Sequence, residues 1–188
     1  MNPSSFRICL FGAPPATKNF GVTALCDSVL AGVAQRIPSA LLTVFDFGRG
    51  RREAMKDLNG APFRYALCGA VNSRRLYRRE NLWNIRICAW LGGMGNPGAQ
   101  ALREADLVLD VSGGDSFTDL YGGYRLRSVV LPKLMALDRR VPLVLLPQTY
   151  GPFSSDKARR AAAYVLKRAT MAWARRGPTR RTATARWT

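Results

Sequence analysis

The stretch that decides the fold is Val108-Leu109-Asp110-Val111-Ser112-Gly113-Gly114-Asp115, an apolar run that ends in two adjacent glycines. A second stretch has the same plan, Leu143-Val144-Leu145-Leu146-Pro147-Gln148-Thr149-Tyr150-Gly151-Pro152. Short continuous apolar runs are typical of strands that a parallel sheet buries on both faces. Helical patterns follow both turns, and open α/β sheets bind ligands where strands end and loops lead into helices. We therefore place the function of the chain at these turns.

Strand-like and helix-like patterns alternate along the rest of the chain. The strand patterns cover residues 6–11, 41–47, 63–68, 107–111 and 143–146. The helical patterns cover residues 22–35, 74–91, 99–104, 126–137 and 154–173. We predict a basic turn over residues 48–52. We expect Ser154 or Ser155 to cap the last helix. This alternation predicts an α/β fold with a Rossmann-like open parallel sheet.

Composition indicates one globular domain without a membrane span. The hydrophobic fraction is 47% over 188 residues. The apolar runs fall short of the roughly 18 residues that a membrane helix needs. The N-terminus lacks the pattern of a signal peptide, so we expect a cytoplasmic protein. The chain has no histidine, which removes the commonest general base, and its four cysteines are not spaced as metal ligands. We therefore expect reduced thiols, no metal and no cofactor.

The formal net charge is +17, which leaves two interpretations open. One is attraction to anions, such as phosphorylated small molecules, acidic glycans, membrane surfaces or nucleic acid. The other is an arginine-rich surface that reflects a GC-rich gene. No nucleic-acid-binding motif accompanies the charge, so we expect no specific nucleic-acid partner. The amphipathic stretch 74–91, whose start is rich in arginine, either packs on the sheet or lies on a membrane surface.

The loop after the first strand offers a candidate anion site. Asn19 and Gly21 lie at the start of the first helical pattern. Backbone N–H groups at a helix start can hold a phosphate or a carboxylate, and glycine lets the ligand approach closely. A structural turn explains the same residues equally well. The loop is neither a P-loop nor a Gly-x-Gly-x-x-Gly motif.

The loop after the strand at 107–111 carries glycines and carboxylates together. Gly113 and Gly114 permit close backbone approach of a ligand. Asp115 and Asp119 offer carboxylates to hydroxyl groups, to a metal or to nearby arginines. The alternative is that these two side chains only cap the next helix.

The loop after the strand at 143–146 places Gln148, Thr149 and Gly151 at a strand end. Their amide and hydroxyl groups could face a ligand, or the segment could be a Gly-Pro turn and no more. Neighbouring parallel strands end at the same edge of a sheet. We therefore expect the three loops to share one rim that receives an anion.

Taken together and in this order, the loops resemble the polysaccharide pyruvyl transferase family. The resemblance covers about residues 6–174, and its most specific parts are the Gly-Gly and Gln-x-x-Gly-Pro segments. It implies a fold of the GT-B type, with two Rossmann-like halves that face a cleft. It also implies transfer of a pyruvyl group from phosphoenolpyruvate to a sugar of a cell-surface polysaccharide, with formation of a ketal. The residues that the resemblance places on one wall of the cleft are Asn19, Gly21, Gly113, Gly114, Asp115, Asp119, Gln148, Thr149 and Gly151.

The match extends only to the N-terminal half of the family pattern. The family's second half supplies a histidine and basic residues, so no catalytic residue can be assigned. Residues 175–188 have no apolar periodicity and are rich in Arg, Ala and Thr. We expect a disordered basic tail there, typical of an out-of-frame reading, after a domain of residues 1–174. On this hypothesis the chain is a truncated product, and we expect it to be inactive alone. The alternative is that the tail is a basic arm for nucleic acid or a membrane.

Two other functions are open. The chain could be a non-catalytic module that binds an anionic ligand, or it could be a charge-driven binder of nucleic acid or of a membrane surface. The expected partners are an anionic donor and a glycan acceptor. A separate half-domain or a second copy of the chain could also dock.

Overall fold

A seven-stranded sheet runs through the computed structural model, which describes residues 5–58, 60–93 and 95–175. The strands are β1 Arg7–Phe11, β2 Leu41–Asp46, β3 Arg51–Leu58, β4 Ala61–Gly69, β5 Leu107–Asp110, β6 Leu143–Gln148 and β7 Met171–Ala174. The helices are α1 Phe20–Arg36, α2 Leu82–Trp90, α3 Pro97–Arg103, α4 Gly122–Asp138 and α5 Asp156–Arg168. A short 3-10 turn covers Ser112–Gly114. The structure confirms the predicted Rossmann-like α/β fold.

The strand order β3-β4-β2-β1-β5-β6-β7 contains a switch point between β1 and β5. From β1 the chain moves to β2 on one side, and it later returns to β5 on the other side. Every neighbouring pair is parallel except β3 and β4. At the switch point Phe11 of β1 pairs with Asp110 of β5. The loops after these two strands therefore diverge and leave a crevice at the carboxyl edge of the sheet.

Helices cover the two faces of the sheet unequally. Residues that alternate along β1 point to opposite faces, so Ile8 and Leu10 pack with α1 while Cys9 and Phe11 pack with α2 to α5. Leu30 of α1 and Leu102 of α3 are fully buried in these two clusters. Burying one such side chain contributes about 1.5–3 kcal/mol, so both faces contribute to holding the strands in register.

The strand β3 replaces the helical crossover that usually joins two parallel strands. It pairs antiparallel with β4, from Arg51 opposite Cys68 to Leu58 opposite Ala61. The prediction of a basic turn over residues 48–52 is therefore wrong for its last two residues, which begin β3. An edge strand has one free side, so it needs no continuous apolar run, and charged residues protect such an edge from pairing with other chains.

The helix predicted at 74–91 is wrong over its first half. Helix α2 begins only after Asn81, whose side-chain oxygen accepts the N–H of Trp83 at 2.8 Å. The Asn81 amide nitrogen donates to the carbonyl of Ser73 at 2.6 Å. A side chain that bonds both the preceding loop and the first helical turn fixes where the helix starts.

The helix predicted at 154–173 ends early. Helix α5 ends at Arg168, and Met171–Ala174 form the parallel edge strand β7 beside β6. At its other end Ser155 accepts the N–H of Ala158 at 3.2 Å, which confirms the predicted cap. The apolar periodicity of the sequence does not distinguish a further turn of α5 from a short exposed strand, because only two residues lie between the end of the helix and β7.

Residues 176–188, where we predict most of the basic tail, lie outside the described residues. Within the part of the chain that the structure describes, no helix is both long enough and apolar enough to cross a bilayer.

A glycine makes the contact that joins the loops of β1 and β5. Gly12 has a φ of +80°, and a Cβ atom at this position would lie 2.4 Å from the backbone nitrogen of Ser112. The Gly12 carbonyl also accepts the N–H of Gly113 at 2.7 Å. The two backbones therefore approach as closely as they do only because residue 12 has no side chain.

We expect Gly12→Ala to lower the free energy of unfolding by about 3 kcal/mol or more, because strain at a positive φ adds to a backbone clash. Gly50→Ala is the matched control, because Gly50 has a φ of +58° but open space around its Cβ position. The control is expected to cost about 1–2 kcal/mol, since only the conformational strain remains. Urea unfolding measures both changes, and equal losses would contradict the importance of the close approach.

Candidate functional site

A pocket of about 420 Å³ lies at the switch point of the sheet. The loops after β1, β2, β4 and β5 surround it, together with the starts of α1 and α2 and the segment of α4 up to Pro132. Aromatic rings of Phe11 and Phe45, stacked with centroids 4.0 Å apart, form part of its apolar wall. The polar lining residues are Thr17, Asn19, Asn72, Asp110, Ser112, Tyr124, Arg125 and Ser128. A largely apolar cavity with a few convergent polar groups is the usual form of a small-ligand site.

A buried ion pair holds Asp110, the one carboxylate residue among those described that line this pocket. Lys133 of α4 is fully buried, and its Nζ lies 2.7 Å from Oδ1 of Asp110 at the end of β5. The same ammonium donates to Oγ of Ser112 at 2.6 Å and to the carbonyl of Val129 at 2.9 Å. An ammonium has three N–H donors, and all three have acceptors here. Burial lowers the pKa of Lys133, and the neighbouring Asp110 carboxylate opposes that shift.

Ser112 links the ion pair to the 3-10 turn Ser112–Gly114, which we call the glycine turn. Its hydroxyl donates to Oδ1 of Asp110 at 2.7 Å while it accepts a hydrogen bond from Lys133. Its backbone has a φ of +48°, a conformation that residues other than glycine seldom adopt. Such a conformation persists only where its surroundings over-determine it. The Lys133–Asp110 pair supplies that constraint from the side of α4.

Two features give the mouth of the pocket a positive character. Arg125, in the first half of α4, donates to Oγ of Ser116 at 3.0 Å, and a Cβ atom added to Gly113 would lie 3.7 Å from its guanidinium. The amino end of α1 faces the same space, where the Asn19 side chain accepts the N–H groups of Gly21 and Val22. A helix amino end carries a partial positive charge that favours anions, and the arginine adds a full charge.

The opposite wall joins the loop after β4 to α4. The Asn72 side chain donates to the carbonyl of Tyr124 at 3.1 Å and to Oγ of Ser128 at 3.0 Å. The Tyr124 hydroxyl donates in turn to the Asn72 carbonyl. These reciprocal bonds hold α4 against the half of the sheet that contains β4, and so keep the crevice at a defined width.

The structure places the predicted residues at one edge of the sheet but not in one cavity. Asn19 and Gly113 line the pocket. Gly21 lies in the first turn of α1. Gly114 is the last residue of the 3-10 turn, and its carbonyl accepts the N–H of Thr149 at 2.9 Å. Of these four glycine and asparagine positions, only Asn19 and Gly113 therefore touch the space where a ligand could sit. Ligand binding by any of them stays a prediction.

The two predicted carboxylates have different surroundings. Asp115 is exposed, and its nearest polar partners are the hydroxyls of Ser116 and Tyr121 at 3.3 and 3.4 Å. Asp119 accepts the N–H groups of Ser154 and Ser155 at 2.8 and 2.9 Å. These two backbone hydrogen bonds hold the pKa of Asp119 well below its usual range. Asp119 thus connects the loop after β5 to the start of α5.

The predicted residues at the end of β6 and in the loop after it do not line the pocket. The Gln148 side chain is buried and donates to the carbonyl of Asp110 at 3.1 Å. Gly151 has a φ of +80° and donates its N–H to the carbonyl of Phe117 at 2.8 Å. With Thr149, these residues hold β6 and the glycine turn together, and they do not line the pocket.

Sequence reasoning missed the charged groups of α4. Lys133 stands alone in the run Val129-Val130-Leu131-Pro132-Lys133-Leu134-Met135, and a lone lysine in an apolar run is a signal of a buried, paired charge. Arg125 directly precedes the helix predicted over residues 126–137, so its place near a helix start is also readable from the sequence. Its approach to Gly113 is not, because the two residues belong to different elements.

Fold and pocket together define a Rossmann-like α/β protein with a small-ligand crevice at its switch point. The chain belongs to the polysaccharide pyruvyl transferase family, whose model matches residues 19–175. Comparison with curated proteins and with solved structures gave no match. In the described part of the chain, no cluster of histidine, cysteine, aspartate or glutamate side chains could hold a metal ion.

We expect Lys133→Met to lower the free energy of unfolding by about 3–5 kcal/mol, because it leaves the Asp110 carboxylate buried without a partner. The double variant Asp110→Asn/Lys133→Met is expected to lose less than Lys133→Met alone, since it buries no charge. Chemical denaturation measures both, and Lys157→Met, at an exposed lysine of α5, is the control with little effect. A double variant that loses at least as much stability as Lys133→Met alone would contradict the pairing.

Stability in acid is expected to depend on Asp119. Its pKa is lower in the folded chain than the value of about 3.9 in an unfolded one. A depressed carboxyl pKa stabilises the fold above the unfolded value, and this contribution disappears as the pH falls through the folded value. Asp119→Asn should therefore lower Tm near neutral pH and differ little from the parent in strong acid. Thermal unfolding across acidic pH measures this, and a constant Tm difference at every pH would refute it.

Proposed function

We propose that the pocket at the switch point binds an anionic enolpyruvyl donor, phosphoenolpyruvate, for transfer of its pyruvyl group to a sugar of a cell-surface polysaccharide. The observation that carries the proposal is the position of Arg125 over Gly113, in a family member whose pocket of about 420 Å³ is large enough for such a donor. The donor has a phosphate and a carboxylate, and a guanidinium binds either group through two parallel hydrogen bonds.

The chemistry makes defined demands on the site. In forming a ketal, the donor's methylene carbon gains a proton and becomes a methyl group. The two acceptor hydroxyl oxygens bond to the adjacent carbon, and the bond between that carbon and the phosphate oxygen breaks. Of the two protons that the hydroxyls release, one balances the proton gained by the methyl group and the other leaves with hydrogen phosphate. Positive charge develops at that carbon, and a preorganised carboxylate stabilises such a centre. Among the described residues that line the pocket, Asp110 is the one carboxylate, and Lys133 and Ser112 hold it in position.

A second candidate function is a binding module that completes its site with another half-domain or a second copy of the chain. The observation that favours it is the chemistry of the pocket lining. The sequence has no histidine, and Oδ1 of Asp110 is already engaged by Lys133 and Ser112. A facing wall would then supply the proton donor and exclude water from the reacting groups. In this case the chain alone binds the donor but does not turn it over.

Other properties stay predictions under either function. We expect no cofactor beyond the donor itself, a glycan as acceptor, and a cytoplasmic location. Neither a metal ion nor a nucleotide is required by the proposed transfer, because protonation of the methylene carbon activates the enol phosphate of the donor.

We expect Arg125→Gln to weaken phosphoenolpyruvate binding by about 10- to 100-fold, since a hydrogen bond between charged groups contributes about 1.5–3 kcal/mol. Arg127→Gln is the matched control, because Arg127 is exposed on the same helix and does not line the pocket. The rise of Tm with donor concentration measures affinity. Phosphate release with an oligosaccharide acceptor then separates the transferase from the binding module. Equal affinities of the two variants would contradict the proposal.

A further inference from the structure

Helix α2 is apolar on both of its faces. Leu82, Ile85 and Ala89 are buried against the sheet and its neighbouring helices. The opposite face is also apolar but exposed to solvent, by 36% at Trp83, 54% at Ile87, 76% at Trp90 and 65% at Leu91. At about 100° per residue these four positions fall within one stripe roughly 100° wide. A contiguous exposed apolar patch on a folded domain usually marks an interaction site.

The loop before α2 adds apolar and basic side chains beside this stripe. Leu76 and Tyr77 are exposed by 57% and 77%. They stand between two pairs of arginines, so that residues 74–79 read Arg-Arg-Leu-Tyr-Arg-Arg. Over residues 74–91 the chain has five arginines and one glutamate. The structure gives no carboxylate within 4.0 Å of the four loop arginines among its described residues.

Asparagine side chains fix the loop against the helix. Asn84 of α2 donates to the carbonyl of Leu76 at 3.0 Å, which brings the exposed loop residues beside the first turn of the helix. Asn96 donates to the carbonyl of Arg79 at 2.9 Å and to the side chain of Asn84 at 2.8 Å. The loop and the stripe on α2 therefore form one platform. We call it the α2 platform, with Leu76, Tyr77, Trp83, Ile87, Trp90 and Leu91 as its apolar residues.

We propose that the α2 platform docks the protein on the surface of an anionic lipid bilayer. Tryptophan and tyrosine favour the boundary between headgroups and acyl chains, and arginines beside them bind lipid phosphates. The net charge of +17 attracts the whole protein to an anionic surface, while the platform supplies the apolar side chains that enter it. A protein partner would need acidic groups to match the arginines.

The platform lies close to the pocket described above. Asn72 and Leu82, which flank the loop, both line that pocket. Docking through α2 would therefore hold the pocket near the membrane surface, where a lipid-linked saccharide carries its sugar. This consequence rests on the proposed function, but the docking itself does not.

The test is co-flotation with vesicles of phosphatidylcholine alone or mixed with phosphatidylglycerol. Ile87→Ser/Trp90→Ser should lower the partition coefficient on the mixed vesicles by about tenfold or more, because it removes two exposed apolar side chains. Arg74→Gln/Arg75→Gln/Arg79→Gln should lower it by about 100-fold, since each arginine near an anionic surface contributes about fivefold. The full-length parent protein should float with the mixed vesicles and should not float with the vesicles of phosphatidylcholine alone.

Two control variants make the result specific. Tyr164→Ser removes an exposed aromatic side chain from α5, and Lys157→Gln/Arg160→Gln/Lys167→Gln removes three charges from the same helix. Both should bind the mixed vesicles within about threefold of the parent, and all variants should keep the parent's circular dichroism spectrum.

Fluorescence separates insertion from attraction by charge alone. Acyl-chain quenchers should reduce the tryptophan emission of the parent and reduce it much less in Trp83→Phe/Trp90→Phe, which keeps only tryptophans outside the platform. Binding that the Ile87→Ser/Trp90→Ser change leaves intact would overturn the proposal, because only charge would then act. Absence of binding to the mixed vesicles would also overturn it. So would a concentration-dependent dimer, seen by light scattering, that the same change abolishes, since the platform would then be a protein interface.

Discussion

The ion pair between Lys133 and Asp110 is the interaction on which the organisation of the site depends. It joins the fourth helix to the end of β5 below the surface, where neither charge is solvated. A buried charge is tolerated only with a full set of partners, and the Lys133 ammonium has three acceptors within 2.9 Å. Through Ser112 the pair also holds the glycine turn in its left-handed conformation. The carboxyl end of β5 is therefore tied to α4 by direct hydrogen bonds.

The reversal of strand order determines where a ligand can bind. Because α1, which follows β1, covers one face of the sheet and α4, which follows β5, covers the other, the loops after these strands diverge and leave a crevice. Arg125, the amino end of α1 and the Asn72 loop converge on this crevice from three different elements. Membership of the polysaccharide pyruvyl transferase family is consistent with this architecture, and the position of Arg125 suits the anionic donor that the proposed transfer requires. The α2 platform projects from an adjoining segment, so one chain combines a small-ligand pocket with a separate apolar and basic surface.

The core strands and the long helices could be predicted because their residues are buried. The runs ending at Asp110 and Gln148 are apolar enough to be recognised, and helix α1 shows regular apolar spacing. The edge strands β3 and β7 could not be predicted, since an edge strand keeps exposed and even charged side chains. Among the candidate site residues, Asn19 and Gly113 reach the pocket. Asp119 and Gln148 instead form hydrogen bonds that connect one loop to another. The backbone N–H and C=O groups that are unpaired where strands end need such hydrogen-bond partners.

The sequence by itself determined the alternation of strands and helices, the glycine turn after β5 and the family of the chain. These depend on local patterns, namely apolar periodicity and short motifs that are read along one segment. Only the tertiary structure decided that Lys133 lies under Asp110, that Arg125 lies over Gly113 and that α2 exposes a second apolar stripe. Each of these relations joins segments distant in sequence, or depends on which helix face the sheet covers. The physical reason is that burial and charge pairing are properties of the packed chain, whereas periodicity is a property of the segment.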